Sequence, residues 1–191
     1  MPRRETYPVD IAGVHRELPL FQIKPGLRIA VLNILGDTEL VEAAADALAD
    51  KLRASGLDFD LLVTAEAKSI PLIHALAVRL NQPHYVVLRK TYKPYMGEAI
   101  SAETLSITTG KPQTLYLDEK DRELVQGKRV VLVDDVISTG STLQGMRLVM
   151  DKAGAQVVGE AAIFTEGERA KWTDIIALGH LPLFTDDGPQ A

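Results

Sequence analysis

The 191-residue chain has no cysteine, so it has no disulfide framework, no thiolate nucleophile and no cysteine-ligated zinc or iron–sulfur site. It has no basic excess either. Its 21 Lys and Arg stand against 26 Asp and Glu, a formal net charge of -5, which argues against a general nucleic-acid binder while leaving room for a small anionic ligand in a local site. Long apolar runs are missing. Arg3-Arg4 is followed by no hydrophobic signal region, and runs such as Val130 to Val133 fall far short of the roughly 20 residues of a membrane helix. There is no internal repeat, low-complexity tract or domain-dividing linker. What is present is an ordinary globular mix, 46% hydrophobic and 25% charged with 5% aromatic, enough for one core and scarcely for two. The expectation is a single soluble, cytoplasmic domain over residues 1–191.

The patterning alternates strand and helix. Pro19 and Lys24-Pro25-Gly26 read as a loop feeding an extended Ile29-Ala30-Val31-Leu32, and Asp37 or Thr38 caps a helix running through Leu52 to Gly56. Phe59–Thr64 reads as a strand, Ile70–Leu80 as a helix and Tyr85–Leu88 as a strand. The stretch from Arg89 to Glu103 has no sustained period and reads as a long functional loop. Thr104–Thr108 and Gln113–Leu117 are expected to pair around Gly110. Arg129–Val133 is the clearest buried strand, followed by a helix over Ser141–Lys152, a strand over Gln156–Phe164 and a short strand over Thr173–Leu178. Thr165-Glu166-Gly167-Glu168-Arg169 reads as a polar turn, and Asp186–Ala191 as a solvated tail. Continuous apolar strands alternating with helices predict an α/β fold with a mostly parallel sheet covered on both faces.

The most informative stretch is Val130-Val131-Leu132-Val133-Asp134-Asp135-Val136-Ile137-Ser138-Thr139-Gly140-Ser141-Thr142. A buried strand runs into two acids and then a Ser/Thr/Gly loop that opens a helix. Ligands of open α/β sheets sit beyond the carboxyl ends of the strands. There, unpaired helix N–H groups and the hydroxyls of Ser138, Thr139, Ser141 and Thr142 suit a phosphate monoester, and Gly140 allows close approach. Asp134 and Asp135 repel phosphate but accept hydrogen bonds from sugar hydroxyls and can support a divalent cation. Together they suit a phosphorylated sugar.

This segment closely resembles the phosphoribosyl-pyrophosphate motif of the type I phosphoribosyltransferases. The resemblance extends over most of the chain. Leu20-Phe21-Gln22-Ile23-Lys24-Pro25-Gly26 resembles the opening of adenine phosphoribosyltransferases, Ala65–Pro71 the loop after their first core strand, and Val87-Leu88-Arg89-Lys90 the strand end before their mobile loop. Leu178–Phe184 resembles their carboxyl-terminal hood. The resemblance implies a type I phosphoribosyltransferase-like core flanked by helices, a small hood from about 14–35 and 165–188, and a mobile loop over about 90–103. It implies transfer of the phosphoribosyl group of 5-phosphoribosyl 1-pyrophosphate (PRPP) to a free purine, most simply adenine, with release of pyrophosphate.

By the same resemblance, Asp134 and Asp135 bind the ribose hydroxyls, Ser138, Thr139, Gly140, Ser141 and Thr142 hold the 5-phosphate, and Val136 and Ile137 between them also belong to the PRPP site. Glu66, Ala67, Lys68 and Ser69, a loop that often contains a cis non-proline peptide, hold pyrophosphate, with Arg89, Lys90 and Lys93 nearby. Asp134, Asp135, Arg89 and Lys90 are the implied catalytic residues. Mg2+ is carried mainly by PRPP and water, with no direct protein ligand assigned. A homodimer is implied, with a basic loop residue supplied across its interface, and neither nucleic acid nor membrane is a partner. The base is expected between the Ile137 region and the hood, with Phe21, Ile23 and Phe164 as candidate lining residues.

Two departures weaken adenine specificity more than phosphoribosyl transfer. The Glu-containing triplet of adenine enzymes meets Ile107-Thr108-Thr109-Gly110 here, where no acid stands, although Glu98 and Glu103 lie nearby. Lys68-Ser69 replaces the usual Arg-Gly pair. Hypoxanthine, guanine or xanthine specificity therefore remains open, as does a noncatalytic PRPP sensor, although the stretch ahead of Asp37 is short for an added DNA-binding module. His15, His74, His84 and His180 form no i,i+4 pair and are expected in structural or surface roles, and Trp172 in packing.

Overall fold

Four residues of the strand Val130–Val133 are wholly buried, as apolar residues must be when helices cover both sheet faces. A computed structural model describes residues 5–105 and 112–190 of the chain. Its core is a five-stranded, all-parallel sheet in the order β10-β9-β8-β4-β5. Here β4 is Leu61–Ala65, β5 Tyr85–Leu88, β8 Arg129–Ile137, β9 Gln156–Glu166 and β10 Ile176–Leu181. Helices α1 (Thr38–Ala54) and α2 (Ile70–Arg79) cover one face, where Ala44, Leu48, Leu72 and Leu76 meet Val131, Val133 and Ile163. On the other face, α4 (Ser141–Lys152) and the hairpin β6 (Ile100–Leu105)–β7 (Pro112–Leu117) place Met146, Val149 and Leu115 against Val63, Val130 and Leu132. The one-turn helix α3 (Arg122–Val125) leads into β8.

A second, antiparallel sheet joins the two ends of the chain in the order β1-β2-β3-β11-β12: Thr6–Ile11, Val14–Lys24, Leu27–Ala30, Leu183–Thr185 and Gly188–Gln190. The expected loop at Pro19 and Lys24-Pro25-Gly26 is thus mostly strand, because Glu17, Leu18 and Pro19 pair with β1 while Leu20, Phe21 and Gln22 pair with β3. The expected solvated tail contains β12, paired with β11. The stretch 90–103 is less irregular than its composition suggested. Pro94–Met96 form a 3-10 turn with Met96 buried, and β6 begins at Ile100. The hairpin tip expected at Gly110, and the stretch 107–110, lie outside the described residues. The last core strand sits at Ile176–Leu181, a few residues later than expected, since a 3-10 turn over Arg169–Trp172 precedes it. Among the described residues no helix is long and apolar enough to cross a membrane.

The start of α1 ties the two sheets together. Asp37 caps it, accepting the Leu40 N–H at 3.2 Å, while Arg16 of β2 forks onto Asp37 at 2.8 and 2.9 Å. Arg16 foremost, and the Leu40 N–H, hold the Asp37 carboxyl below its ordinary range. A carboxyl lowered on folding contributes stability above its unfolded pKa and loses it as pH falls through the folded one. Asp37→Ala is therefore expected to cost about 1–2 kcal/mol near neutral pH, with the gap narrowing below about pH 4. Urea unfolding of both proteins across that range checks this, and equal stability at neutral pH would contradict it.

Candidate functional site

The carboxyl ends of β4 and β8 lie side by side, Thr64 pairing with Val133, so the loops that leave them face one another. From β4 the chain turns through Glu66–Ser69 into α2, and the Glu66–Ala67 peptide is cis. From β8 it turns through Ser138–Gly140 into α4. The acid pair stands between these loops. Ser69, at the first cap of α2, links them: its Oγ donates to Asp134 Oδ1 at 2.8 Å and accepts the Asp135 N–H at 2.9 Å.

The Asp134 and Asp135 carboxylates lie together, the Ser69 Oγ standing 2.8 Å from Asp134 Oδ1 and 3.2 Å from Asp135 Oδ1. Asp135 is buried, and its Oδ2 accepts no well-formed hydrogen bond, with only the Lys68 ammonium 3.1 Å away. Lys68 Nζ also reaches Leu32 O at 3.3 Å. Burial, and then the Asp135 charge, push the Asp134 carboxyl well above the ordinary carboxylate range. Two adjacent carboxylates with one buried oxygen so poorly satisfied are matched by external donors or a cation rather than by packing.

Beyond the acids, Asp134, Val136, Ile137, Ser138, Thr139, Gly140, Ser141 and Thr142 line a small cavity of about 50 Å³ at the N-terminus of α4. Gly140 adopts φ +78°, and the Thr139 and Ser141 hydroxyls lie 3.1 Å apart. The α4 N–H groups converge there without side-chain capping of Gly140, so the cavity suits an anion of phosphate size.

The expected basic residues separate. Arg89 Nε bonds Glu66 Oε2 at 2.6 Å, and the Lys90 N–H bonds Glu66 Oε1 at 2.6 Å, tying the end of β5 to the loop after β4. Burial opposes ionisation of Glu66, but the Lys90 N–H and Arg89 outweigh it and hold the carboxyl below its ordinary range. Glu66 therefore anchors Arg89 beside the loop. Lys90 and Lys93 are exposed on the following segment. Of the candidate lining residues, Phe21 and Ile23 are exposed on β2, whereas Phe164 belongs to the core, packed where a Gly179 side chain would lie. Ile137 is likewise core by its side chain.

Three neighbours of the cleft are not among the candidate site residues read from the sequence. Trp172 lies over Gly140, and its Nε1–H donates to Glu166 O at 3.0 Å. Thr165 and Glu166, read from sequence as a polar turn, are buried in the end of β9. Their signal was the one that marked Asp134 and Asp135, polar residues directly after the apolar run Ala161–Phe164. His180 holds Thr165 at 2.8 Å and Gly167 O at 2.9 Å, a structural role. Burial lowers its pKa, and donation from Nε2 to a carbonyl leaves Nδ1 to accept the Thr165 hydroxyl.

The model of the phosphoribosyl transferase domain matches residues 32–179. The chain is 32% identical over 151 residues to an adenine phosphoribosyltransferase of Thermosipho africanus, covering 78% of this chain and 84% of that one. It is 33% identical over 135 residues to a hypoxanthine/guanine phosphoribosyltransferase of Ferroglobus placidus, covering 71% and 66%. A crystal structure of adenine phosphoribosyltransferase from Thermoanaerobacter pseudethanolicus matches with a TM-score of 0.68 at 25% identity, over 85% of this chain and 95% of that one.

Proposed function

The chain belongs to the phosphoribosyltransferase family, and from that premise we propose that it transfers the phosphoribosyl group of PRPP to a purine base, adenine foremost, releasing pyrophosphate. The observation that carries the reading is the Ser69 bridge. It sets the acid pair between the α4 anion cavity and the Lys68 loop, the spacing order of 5-phosphate, ribose and pyrophosphate. In this reading Ser138–Thr142 take the 5-phosphate, Asp134 and Asp135 accept the ribose hydroxyls, and Glu66–Ser69 take the pyrophosphate. The adenine assignment draws its support from adenine phosphoribosyltransferases among both the sequence relatives and the solved structures.

Breaking the bond between C1 of ribose and the pyrophosphate oxygen builds positive character on the sugar and negative charge on the leaving group. Lys68 stands on the leaving-group side, with Arg89, Lys90 and Lys93 on the elements beside it. Asp134 and Asp135 stand on the sugar side, where their charge is favourable. Among the described residues no three metal-ligating side chains form a cage. The donor set, two carboxylates with one poorly satisfied oxygen, fits a Mg2+ held chiefly by substrate oxygens and water, with Asp134 and Asp135 as its outer partners. When bound there, such an ion would supply charge neutralisation to the leaving pyrophosphate.

Pyrophosphate release tests the reading, with PRPP and Mg2+ and each of adenine, hypoxanthine, guanine, xanthine, uracil and orotate. Release with at least one purine and none with uracil or orotate is expected. Tight PRPP binding without release on any base would overturn the enzyme in favour of a sensor.

A further inference from the structure

The ion pair between Lys68 and Asp135 is lopsided. The Asp135 side chain is 8% exposed and that of Lys68 47%, so a fixed carboxylate meets an ammonium that enters from solvent on a four-carbon stem. The carboxylate cannot follow its partner. Its backbone N–H bonds Ser69 Oγ and Asp134 Oδ1, both at 2.9 Å, and its Oδ1 stands 3.2 Å from Ser69 Oγ. The ammonium can leave. Its contacts, 3.1 Å to Asp135 Oδ2 and 3.3 Å to Leu32 O in the link from β3 to α1, are long for charge-assisted bonds. Lys120–Asp121 and Lys171–Glu168, by contrast, close to 2.7 Å. On either side of Lys68 the loop is tied down, Glu66 to Arg89 and the Lys90 N–H, Ser69 to the acid pair. Movement is thereby confined to the Lys68 stem.

Asp135 Oδ2 is buried and accepts no well-formed hydrogen bond, and a buried carboxylate stripped of its counter-ion is strongly disfavoured. Lys68 can withdraw only where another cation or a strong donor takes its place. A Mg2+ carried by PRPP would be such a cation. The pyrophosphate that arrives with it offers anionic oxygens to an ammonium on the Glu66–Ser69 loop.

We propose that Lys68 is a built-in counter-ion of the acid pair, holding the cation position at Asp135 in the free protein and yielding it when PRPP binds with its metal. This exchange rests on the transferase reading above. Its two consequences oppose one another. Without the Lys68 charge, the cation position at Asp135 attracts a divalent ion even when no PRPP is present. Without it, the pyrophosphate also lacks an ammonium, so PRPP loses part of its advantage over ribose 5-phosphate.

The test titrates Mn2+ alone into the free protein at about pH 8, where protons compete least for the acids, and counts bound ion by loss of its free electron paramagnetic resonance signal. Lys68→Met keeps much of the stem and drops the charge. It is expected to bind Mn2+ about tenfold more tightly than the wild type or better, and Lys68→Arg within about threefold of the wild type. Adding Asp135→Asn to Lys68→Met should abolish the gain; if the gain persists, the ion lies elsewhere and the inference falls. Calorimetry with Mg2+ then compares PRPP with ribose 5-phosphate, and the preference for PRPP is expected to shrink about tenfold in Lys68→Met. A structural lysine would move neither reading, and a lysine that serves pyrophosphate alone would move only the second. Unchanged Mn2+ affinity in Lys68→Met therefore overturns the exchange and leaves the transferase reading standing. Wild-type protein that binds no PRPP overturns that reading and the exchange with it. Should Lys68→Met fail to fold, Lys68→Gln must show the same tighter Mn2+ binding; if it does not, the inference falls.

Discussion

Asp134→Asn combined with Asp135→Asn is expected to abolish measurable PRPP binding and transfer while leaving the protein folded. In the proposed function each acid accepts a hydrogen bond from a sugar hydroxyl, and such charge-assisted bonds contribute about 1.5–3 kcal/mol apiece, so losing two weakens binding roughly 10²- to 10⁴-fold. Folding should be preserved because the asparagines keep the shape of the acids and the amide oxygen at position 134 can still accept the Ser69 hydroxyl. Removing two adjacent buried charges also relieves the repulsion and burial that raise the Asp134 carboxyl, so the melting temperature should hold or rise. That opposition between stability and binding separates a site from a structural acid pair. Calorimetric titration with PRPP and Mg2+, beside a thermal melt, reads both, and wild-type affinity in the double variant would remove the acids from the sugar site.

Gly140→Ala is the second large effect. Gly140 sits at φ +78°, where a side chain costs about 1–2 kcal/mol, and a Cβ there would lie 2.9 Å from the Trp172 ring. The anion cavity cannot keep its shape if that residue moves, since its neighbours Thr139 and Ser141 form the rim. Ribose 5-phosphate affinity is expected to fall about 10- to 100-fold. Adding Trp172→Ala removes the contact but not the backbone cost, so the double variant should recover part of the loss. Unchanged affinity in Gly140→Ala would mean that the α4 N-terminus is not where the phosphate binds.

The parallel core was legible because its strands are uninterrupted apolar runs and its helices repeat at the helical spacing. Val130–Val133 and the Ala-Leu face of α1 admit no other reading. The acid pair and its loop were legible for the same reason: a buried strand that ends in acids and then Gly140 is a local pattern. The antiparallel sheet was not. Its strands β3 and β11 pair across more than 150 residues of chain, and the half-exposed faces of β2 and β3 leave no strong period. Ser69 as the link between the loops, the Lys68–Asp135 pair and the Trp172 cover on Gly140 are likewise contacts between segments far apart in sequence. Glu166 was misread because acids followed by glycine resemble a turn, when β9 in fact continues two residues beyond its apolar run.

The central claim is that this cleft moves the phosphoribosyl group to a purine. The most direct measurement follows PRPP labelled at C1 of the ribose, incubated with the protein, Mg2+ and a purine. The account predicts that the label appears in a purine nucleoside 5'-monophosphate, in step with pyrophosphate, and that no nucleotide forms with the Asp134→Asn, Asp135→Asn protein. Label found only in unreacted PRPP or in ribose 5-phosphate, with every purine tried, would contradict it.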